Sequence, residues 1–279
     1  MAFFVGSNNR VTVLMDLYFT FPADSGHQVS ENVVSITPPT GVDTRRWPAR
    51  GFAKDKDHPT EGDICATVWP TQALNSTERW FDELYLWTEG FHASTTQRAR
   101  IQWAALRAAF QMLESEEIDR VGVTLSFGTI ERTVDHLAEA IQAHALVSHR
   151  MAILLRGSLG RLRSPYQVRA FREHLRGHHV AVGYLLSAPS ISMELKAMEF
   201  VQPDFAKLRA PTSTRLEPWQ NLVFESRVAG VQADNLIVAG LQSRKQVGIA
   251  AQVGIGFGQG NALLPAFAPP AFTPLGTLS

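Results

Sequence analysis

The chain has 279 residues, of which 45% are hydrophobic and 19% are charged, and its 26 basic residues balance 26 acidic ones. A chain of this length can bury a large core, and its composition is that of an ordinary globular protein. Zero formal charge argues against broad electrostatic attraction to nucleic acid or to an anionic membrane. The single cysteine, Cys65, excludes an intramolecular disulfide and a cysteine-based zinc site within one chain.

The first residues lack the basic start, long apolar core and small-residue cleavage site of a secretory signal. The apolar run 11–21 is too short to span a bilayer and contains Asp16. We therefore expect a cytoplasmic protein with no membrane partner.

Residues 1–62 differ in pattern from the rest of the chain. VTVLMDLYFTF has the β-branched and aromatic content of a strand, and the following residues are rich in proline and glycine without periodicity. This part has too little apolar sequence for a core of its own. We interpret it as a partly extended N-terminal extension, and residues 63–279 as the folded domain.

In residues 63–279, strand-like runs alternate with amphipathic helices. Helices are predicted over 95–113, with Arg98, Arg100 and Arg107 on the wet side, and over 133–146. Others are predicted from Ser164-Pro165 to about Gly177 and over 219–230. Strand runs lie near residues 64, 82, 122, 153, 182, 205 and 237. This alternation predicts a parallel sheet covered by helices, and closure into a barrel is the economical arrangement for so many units.

Several residue groups suggest chemistry, but each has a simpler interpretation. The glycine run 254–260 has no following lysine and fits a sharply turning barrel strand better than a phosphate-binding loop. The histidines His174, His178 and His179 surround a predicted helix end, where cationic side chains are favoured. No acidic or cysteine partner stands at a metal-ligand spacing from them, so no metal site is predicted.

Short motifs at the predicted strand ends resemble those of EAL domains, the barrels that hydrolyse cyclic di-GMP. The Glu-Ala-Leu-Leu-Arg segment of that family matches residues 83–87 (ELYLW), and its Asn-Leu-Ser segment matches residues 124–126 (TLS). Its Lys-Ile-Asp and Gln-Gly segments match residues 207–209 (KLR) and 259–260 (QG). The resemblance extends from about residue 64 to residue 267, and the order and spacing of the motifs support it.

The resemblance implies an α/β fold, a TIM-like (β/α)8 barrel of the EAL type, preceded by the N-terminal extension. It also implies that Glu83, Lys207 and Gln259 are remnant ligand-binding positions. Most acids that hold the metal pair in the family have no counterpart. No acid occurs in ILLRGS, and the neutral or basic residues at the other positions are Thr124, Gly183, Tyr184, Arg209, Ala239 and Gln242. Trp87 stands where the family has an arginine that contacts phosphate.

One carboxylate cannot hold a pair of divalent cations, which need several oxygen ligands. The resemblance therefore predicts a catalytically inactive regulatory protein that acts through protein–protein interaction in bacterial signalling, with no catalytic residue, metal or cofactor. A non-hydrolysing sensor of cyclic di-GMP or another nucleotide is the alternative, and an active phosphodiesterase or an enzyme of different chemistry are further ones. Homodimerisation is expected by analogy with EAL domains, while the protein partner is not identified.

Overall fold

A computed structural model describes residues 2–7, 10–15, 44–46, 64–76, 78–88, 95–186 and 194–263. Much of the predicted extension, including residues 16–43 and 47–63, lies outside the described residues. Its described parts are an antiparallel hairpin, formed by β1 (Ala2–Ser7) and β2 (Arg10–Met15), and the short strand β3 (Thr44–Arg46). The division at residue 62 stays a prediction.

Eight strands close into a barrel, as the sequence predicts. Their bounds are β4 (Ile64–Ala73), β5 (Arg79–Thr88), β6 (Val121–Ser126), β7 (Met151–Arg156), β8 (Ala181–Leu185), β9 (Phe205–Arg209), β10 (Leu236–Ala239) and β11 (Phe257–Gln259). Strands β5 to β11 are parallel neighbours in chain order. Strand β4 runs antiparallel to both β5 and β11 and closes the barrel.

Strand β4 is longer than its barrel partner β11, and one edge of β4 pairs with two different strands. Its last residues, Gln72 and Ala73, pair with β11, whereas residues Cys65 to Thr67 pair with β3. The extension strand β3 therefore covers residues 65–67 of the edge that β11 leaves open. An uncovered strand edge presents unpaired backbone groups, so this pairing protects the fold from edge-to-edge association.

Helices cover the outside of the sheet. Their bounds are α1 (Thr95–Glu114), α2 (Phe127–Ala143), α3 (Ala145–Ser148), α4 (Pro165–Gly177), α5 (Leu195–Val201), α6 (Leu216–Val228) and α7 (Arg244–Gln252). The predicted apolar stripe of α1 is buried at Leu106, Phe110 and Leu113, and that of α4 at Val168, Phe171 and Leu175. None of the helices in the described part of the chain combines the length and the apolar character needed to span a bilayer.

Helix α2 begins six residues before the predicted start at residue 133. The Ser126 hydroxyl accepts a hydrogen bond from the Thr129 backbone N–H and caps the helix there. Thr133, the predicted start, instead has non-helical angles (φ −138°, ψ 25°) inside α2 and marks a kink. The prediction was wrong because the cap in SFGT was not recognised as the helix start.

Helix α4 has Pro165 at its first position, as predicted, but the Ser164 side chain makes no capping hydrogen bond. The Glu131 carboxylate instead accepts from the Ser164 backbone N–H at 2.5 Å. At the other end, Gly177 is the last helical residue, and the left-handed conformation falls on His179 (φ 57°). The helix therefore ends close to the predicted stop without using a left-handed glycine.

The amino-terminal half of the barrel interior is filled by aromatic rings. Phe81 and Phe205 are fully buried there with Ile237, and the Trp80 ring stacks on Phe257 at a centroid distance of 4.4 Å. Two glycines make room for the rings. A Cβ on Gly122 would lie 2.5 Å from the Phe81 ring, and a Cβ on Gly183 would lie 2.3 Å from the Phe205 ring.

Candidate functional site

Three strands direct polar side chains into the carboxyl-terminal half of the barrel. Side chains alternate between the two faces of a strand, so Glu83 shares the inward face of β5 with Phe81, and Lys207 shares that of β9 with Phe205. Gln259 shares the inward face of β11 with Phe257. In TIM-like barrels the carboxyl-terminal ends of the strands carry the functional site.

The Glu83 carboxylate is the centre of a buried hydrogen-bond network. Its Oε2 atom accepts from Lys207 Nζ at 2.5 Å and from Gln259 Nε2 at 3.0 Å, while Oε1 accepts from Thr124 Oγ1 at 3.4 Å. The side chain of Glu83 is 0% exposed and that of Lys207 is 3% exposed. The structure therefore brings together the three predicted remnant residues, while their role in binding a ligand stays a prediction.

Two further residues complete this network. Lys207 Nζ donates to the Tyr85 hydroxyl at 2.5 Å, and Gln259 Nε2 donates to Thr71 Oγ1 at 2.7 Å. Burial raises the pKa of Tyr85, and the neighbouring Glu83 carboxylate raises it further. Tyr85 is therefore a neutral hydrogen-bond partner near neutral pH. Each charge of the buried pair is balanced inside the barrel.

Arginines occupy the carboxyl-terminal ends of two strands that border this network. Arg156 is the last residue of β7 and has the inward alternation of Ala152 and Leu154, and Arg209 is the last residue of β9. Burial lowers the pKa of Arg156, and the nearby Arg98 guanidinium lowers it further. Tyr85 and Glu194 act in the opposite direction. We call Arg156 and Arg209 the arginine pair of the barrel mouth.

The inward positions at the described ends of strands β6 to β10 carry no carboxylate. They are Thr124, Ser126, Arg156, Leu185, Arg209 and Ala239. The predicted correspondence of Gly183 with an acidic loop position is displaced, because Gly183 lies within β8 against Phe205, below the strand end. Gln242 follows β10, and its backbone N–H donates to Gln246 in the capping box of α7.

The predicted histidine cluster lies on the outside of the barrel at the end of α4. His174 Nε2 lies 3.0 Å from the Ala138 backbone oxygen, and its ring contacts that of His178 at 4.7 Å. Among the described residues, no group of three or more His, Cys, Asp or Glu side chains could hold a metal ion. The rings of His174 and His178 thus contact α2 and each other at the end of α4.

Sequence reasoning did not single out Tyr85, Thr71 and Arg156 as site residues. Tyr85 follows Glu83 by two positions and Arg156 follows Leu154 by two, so strict strand alternation places both on the inward face. Thr71 could not be found in this way, because its contact with Gln259 requires knowledge that β4 closes the barrel against β11.

Solved structures of EAL proteins share this fold. The LapD S helix-GGDEF-EAL structure of Vibrio cholerae is 13% identical, with a TM-score of 0.58, and the match covers 72% of this chain and 53% of LapD. The EAL domain of Mycobacterium smegmatis DcpA is 15% identical, with a TM-score of 0.55, covering 72% and 91% of the two chains. Klebsiella pneumoniae BlrP1, in a manganese and cyclic di-GMP complex, is 13% identical, with a TM-score of 0.55, covering 78% and 57%.

These matches define the fold as an EAL-type TIM-like barrel, which confirms the predicted architecture. The chain spans about half the length of the LapD and BlrP1 chains that it matches. No protein-family model matches the sequence, and no curated protein matches it. At 10–15% identity the likeness concerns the fold, and the chemistry has to be argued from the residues of this chain.

Proposed function

We propose that this barrel is a non-hydrolysing regulatory protein of bacterial cyclic di-GMP signalling that acts through protein–protein interaction. The fold supports the signalling context, because the matched BlrP1 structure holds manganese and cyclic di-GMP. The residues of this chain support the loss of hydrolysis. A cytoplasmic location is part of the same proposal.

The engagement of Glu83 carries the proposal. Divalent cations need several oxygen ligands, and hydrolysis of a phosphodiester by two metals needs carboxylates that face both. Here one buried carboxylate receives the Lys207 ammonium, the Gln259 amide and the Thr124 hydroxyl. The Lys207 ammonium already neutralises the charge of the Glu83 carboxylate. A metal ion that binds Glu83 would have to displace this ammonium and break a buried ion pair.

The strand ends support the same conclusion. Arg156 and Arg209 place positive charge at the mouth, where metal binding would need negative charge. Cations repel each other strongly in a partly buried site. The barrel therefore retains its architecture without the electrostatics of a two-metal centre.

The test is a hydrolysis assay with cyclic di-GMP in Mg²⁺ or Mn²⁺, with an active EAL phosphodiesterase as the positive control. We expect no product from this protein, and no binding of either metal at micromolar concentration by calorimetry. Metal-dependent turnover that disappears in Glu83→Gln would show that the proposal is wrong. Glu83→Gln preserves the shape of the side chain, so loss of turnover can be separated from loss of folding by circular dichroism.

A sensor that binds cyclic di-GMP without hydrolysis is the second candidate. The arginine pair favours it, because guanidinium groups recognise phosphate oxygens. Calorimetric titration of the protein with cyclic di-GMP would detect such binding, and Arg209→Gln should weaken it because Arg209 is exposed at the mouth. Absence of heat at high micromolar ligand excludes the sensor and leaves the protein-binding role.

Homodimerisation is a separate proposal. Light scattering of the full chain and of residues 63–279 would give the mass of each form. A dimer of the full chain that becomes a monomer after truncation would assign the interface to the extension. A monomer in both cases would contradict homodimerisation.

A further inference from the structure

We infer that the start of helix α4 and the turn before it bind single-stranded nucleic acid through Arg161, Arg163, Tyr166 and Arg169. We call these four residues the α4 basic surface. Arg161 ends a short 3₁₀ turn, Leu159–Arg161, and Tyr166 and Arg169 lie in α4 itself. The inference goes beyond the proposed function, because this surface lies on the outside of the barrel and contains none of the remnant site residues.

Positive charge is concentrated between the end of strand β7 and the end of α4. Residues 156–179 contain six arginines and a single acidic residue, Glu173, although the whole chain has zero formal charge. Arg172 pairs with Glu173, and Arg176 pairs with Asp204. Attraction of an anion to the other arginines of this segment is therefore local and does not require a net charge on the protein.

The three arginines of the α4 basic surface are exposed and have no ion-pair partner within 4.0 Å among the described residues. Helix α2 carries acids, but it contacts another side of α4, where His174 Nε2 lies 3.0 Å from the Ala138 backbone oxygen. Arg169 precedes His174 by five residues, which is about 140° around a helix of 3.6 residues per turn. Arg169 is therefore on the side of α4 away from α2.

Helix α5 does not neutralise the surface either. Arg169 is on the same side of α4 as Arg172, whose guanidinium donates to the backbone oxygen of the residue that follows α5. The exposed charges of α5 are Lys196 and Glu199, one of each sign. Glu194, at the start of α5, is half-buried and is already engaged in a side-chain hydrogen bond.

Tyr166 adds a flat aromatic face to these charges. It is 79% exposed, so its ring is open to a ligand. Tyr166 and Arg169 are three positions apart in α4 and are neighbours on its outer side. Arg163 precedes Tyr166 by three residues, which is at most about 10 Å along the chain. An exposed ring thus stands between two exposed guanidinium groups.

This combination selects single-stranded nucleic acid as the ligand. Guanidinium groups bind phosphate oxygens, and exposed aromatic rings stack on unpaired bases. A single strand offers a phosphate and an accessible base at every nucleotide, whereas an acidic peptide offers charge without a ring. The chain spans at most about 20 Å from Arg161 to Arg169, which a strand of roughly six nucleotides covers. In a duplex the base faces are stacked on one another and are closed to Tyr166.

The experiment uses the full chain and three fluorescein-labelled dodecamers: an adenosine RNA, the matching DNA, and a DNA backbone of abasic sites. Fluorescence anisotropy should show binding of the RNA and the DNA, and about tenfold weaker binding of the abasic strand, which cannot stack. Binding of either base-bearing strand supports the inference, and the stronger of the two identifies the source. Three phosphate contacts predict a slope of about −2 for the logarithm of the binding constant against the logarithm of the salt concentration.

Exposed positions allow each contact to be removed without disturbing the core. Arg163→Gln and Arg169→Gln should each weaken binding of all three strands and make the salt slope shallower by about 0.7. Arg107→Gln, at an exposed position of α1, is the matched control and should change neither. Tyr166→Ala should weaken binding of the base-bearing strands by about tenfold and leave the abasic strand unaffected. Phe224→Ala removes another exposed ring, on α6, and should have no effect.

No binding of any strand at low salt, or equal binding of the base-bearing and abasic strands, would overturn the inference. A loss in Arg107→Gln as large as that in Arg169→Gln would overturn it too, because the attraction would then have no defined surface. Binding of phosphatidylglycerol vesicles without binding of the strands would also overturn it and would assign the surface to a membrane. Hydrolysis of cyclic di-GMP is measured separately, so none of these results decides the proposed function.

Discussion

The two halves of the barrel interior are built on the same strands from opposite kinds of side chain. On β5, Phe81 lies in the aromatic half and Glu83 in the polar half, and on β9 Phe205 and Lys207 are divided in the same way. A step of two residues along each strand thus leads from a region of packed aromatic rings to a region that contains a buried ion pair. The comparison shows that the same strands fill one half of the interior by ring packing and the other by an ion pair whose two charges compensate each other.

Removing one charge from the polar half should have the largest effect. Lys207→Met leaves the Glu83 carboxylate buried without its counter-ion, because both side chains are almost completely inaccessible. Breaking such a pair typically costs about 3–5 kcal/mol. Urea denaturation followed by circular dichroism would measure the loss of unfolding free energy.

The double variant Lys207→Met/Glu83→Gln tests whether charge is the cause. It removes both charges and retains a side-chain oxygen that can accept from Gln259, so it should recover most of the lost stability. Lys245→Met, at an exposed position of α7, is the control and should change little. A double variant as unstable as Lys207→Met alone would contradict the charge argument.

In the aromatic half, the volume of the packed side chains should determine the free energy of unfolding. Gly183→Ala places a Cβ 2.3 Å from the Phe205 ring, which must shift. Overpacking of this kind costs about 1–3 kcal/mol, measurable in the same denaturation experiment. Adding Phe205→Leu should reduce the cost of the Gly183→Ala change, because the smaller side chain frees space next to the new methyl group.

Gly248→Ala provides the matched control for a glycine substitution. Gly248 lies in α7, and a Cβ there would have no neighbour within 4 Å. Alanine is favoured over glycine inside a helix, so this change should stabilise the protein by about 0.5–1 kcal/mol. Equal losses for Gly183→Ala and Gly248→Ala would show that packing against Phe205 is not the cause.

The sequence allowed the barrel to be predicted, but only part of its site. Strand and helix patterns are local, so the strands from β4 onward and the buried stripe of α4 could be read from residue types. The resemblance to EAL domains brought Glu83, Lys207 and Gln259 together. Tyr85 follows Glu83 by two positions and could have been found by strand alternation. Thr71 was missed because its contact with Gln259, 188 residues away in the chain, depends on register and barrel closure. Long-range pairing of this kind leaves no local pattern.

Asp82 and Glu83, adjacent residues of β5, allow a buried carboxylate without a full set of partners to be compared with one that has them. The expected effect on stability is the smallest of those predicted. Asp82 has a buried Oδ1 with no hydrogen-bond partner among the described residues, whereas both oxygens of Glu83 have partners. Burial raises the pKa of Asp82, and the Arg79 guanidinium, 3.8 Å away, opposes this shift only in part. Folding thus favours protonated Asp82.

Because the folded pKa of Asp82 is raised, its contribution to stability is complete at low pH and is lost as the pH rises through that folded pKa. Asp82→Asn, which stays neutral, should therefore stabilise the protein at pH 7 by at most about 1 kcal/mol, and the gain should vanish at acidic pH. Thermal unfolding at several pH values would measure the difference. A variant that is less stable at pH 7 would show that the Arg79 pair outweighs desolvation, and that β5 has a satisfied carboxylate on each face.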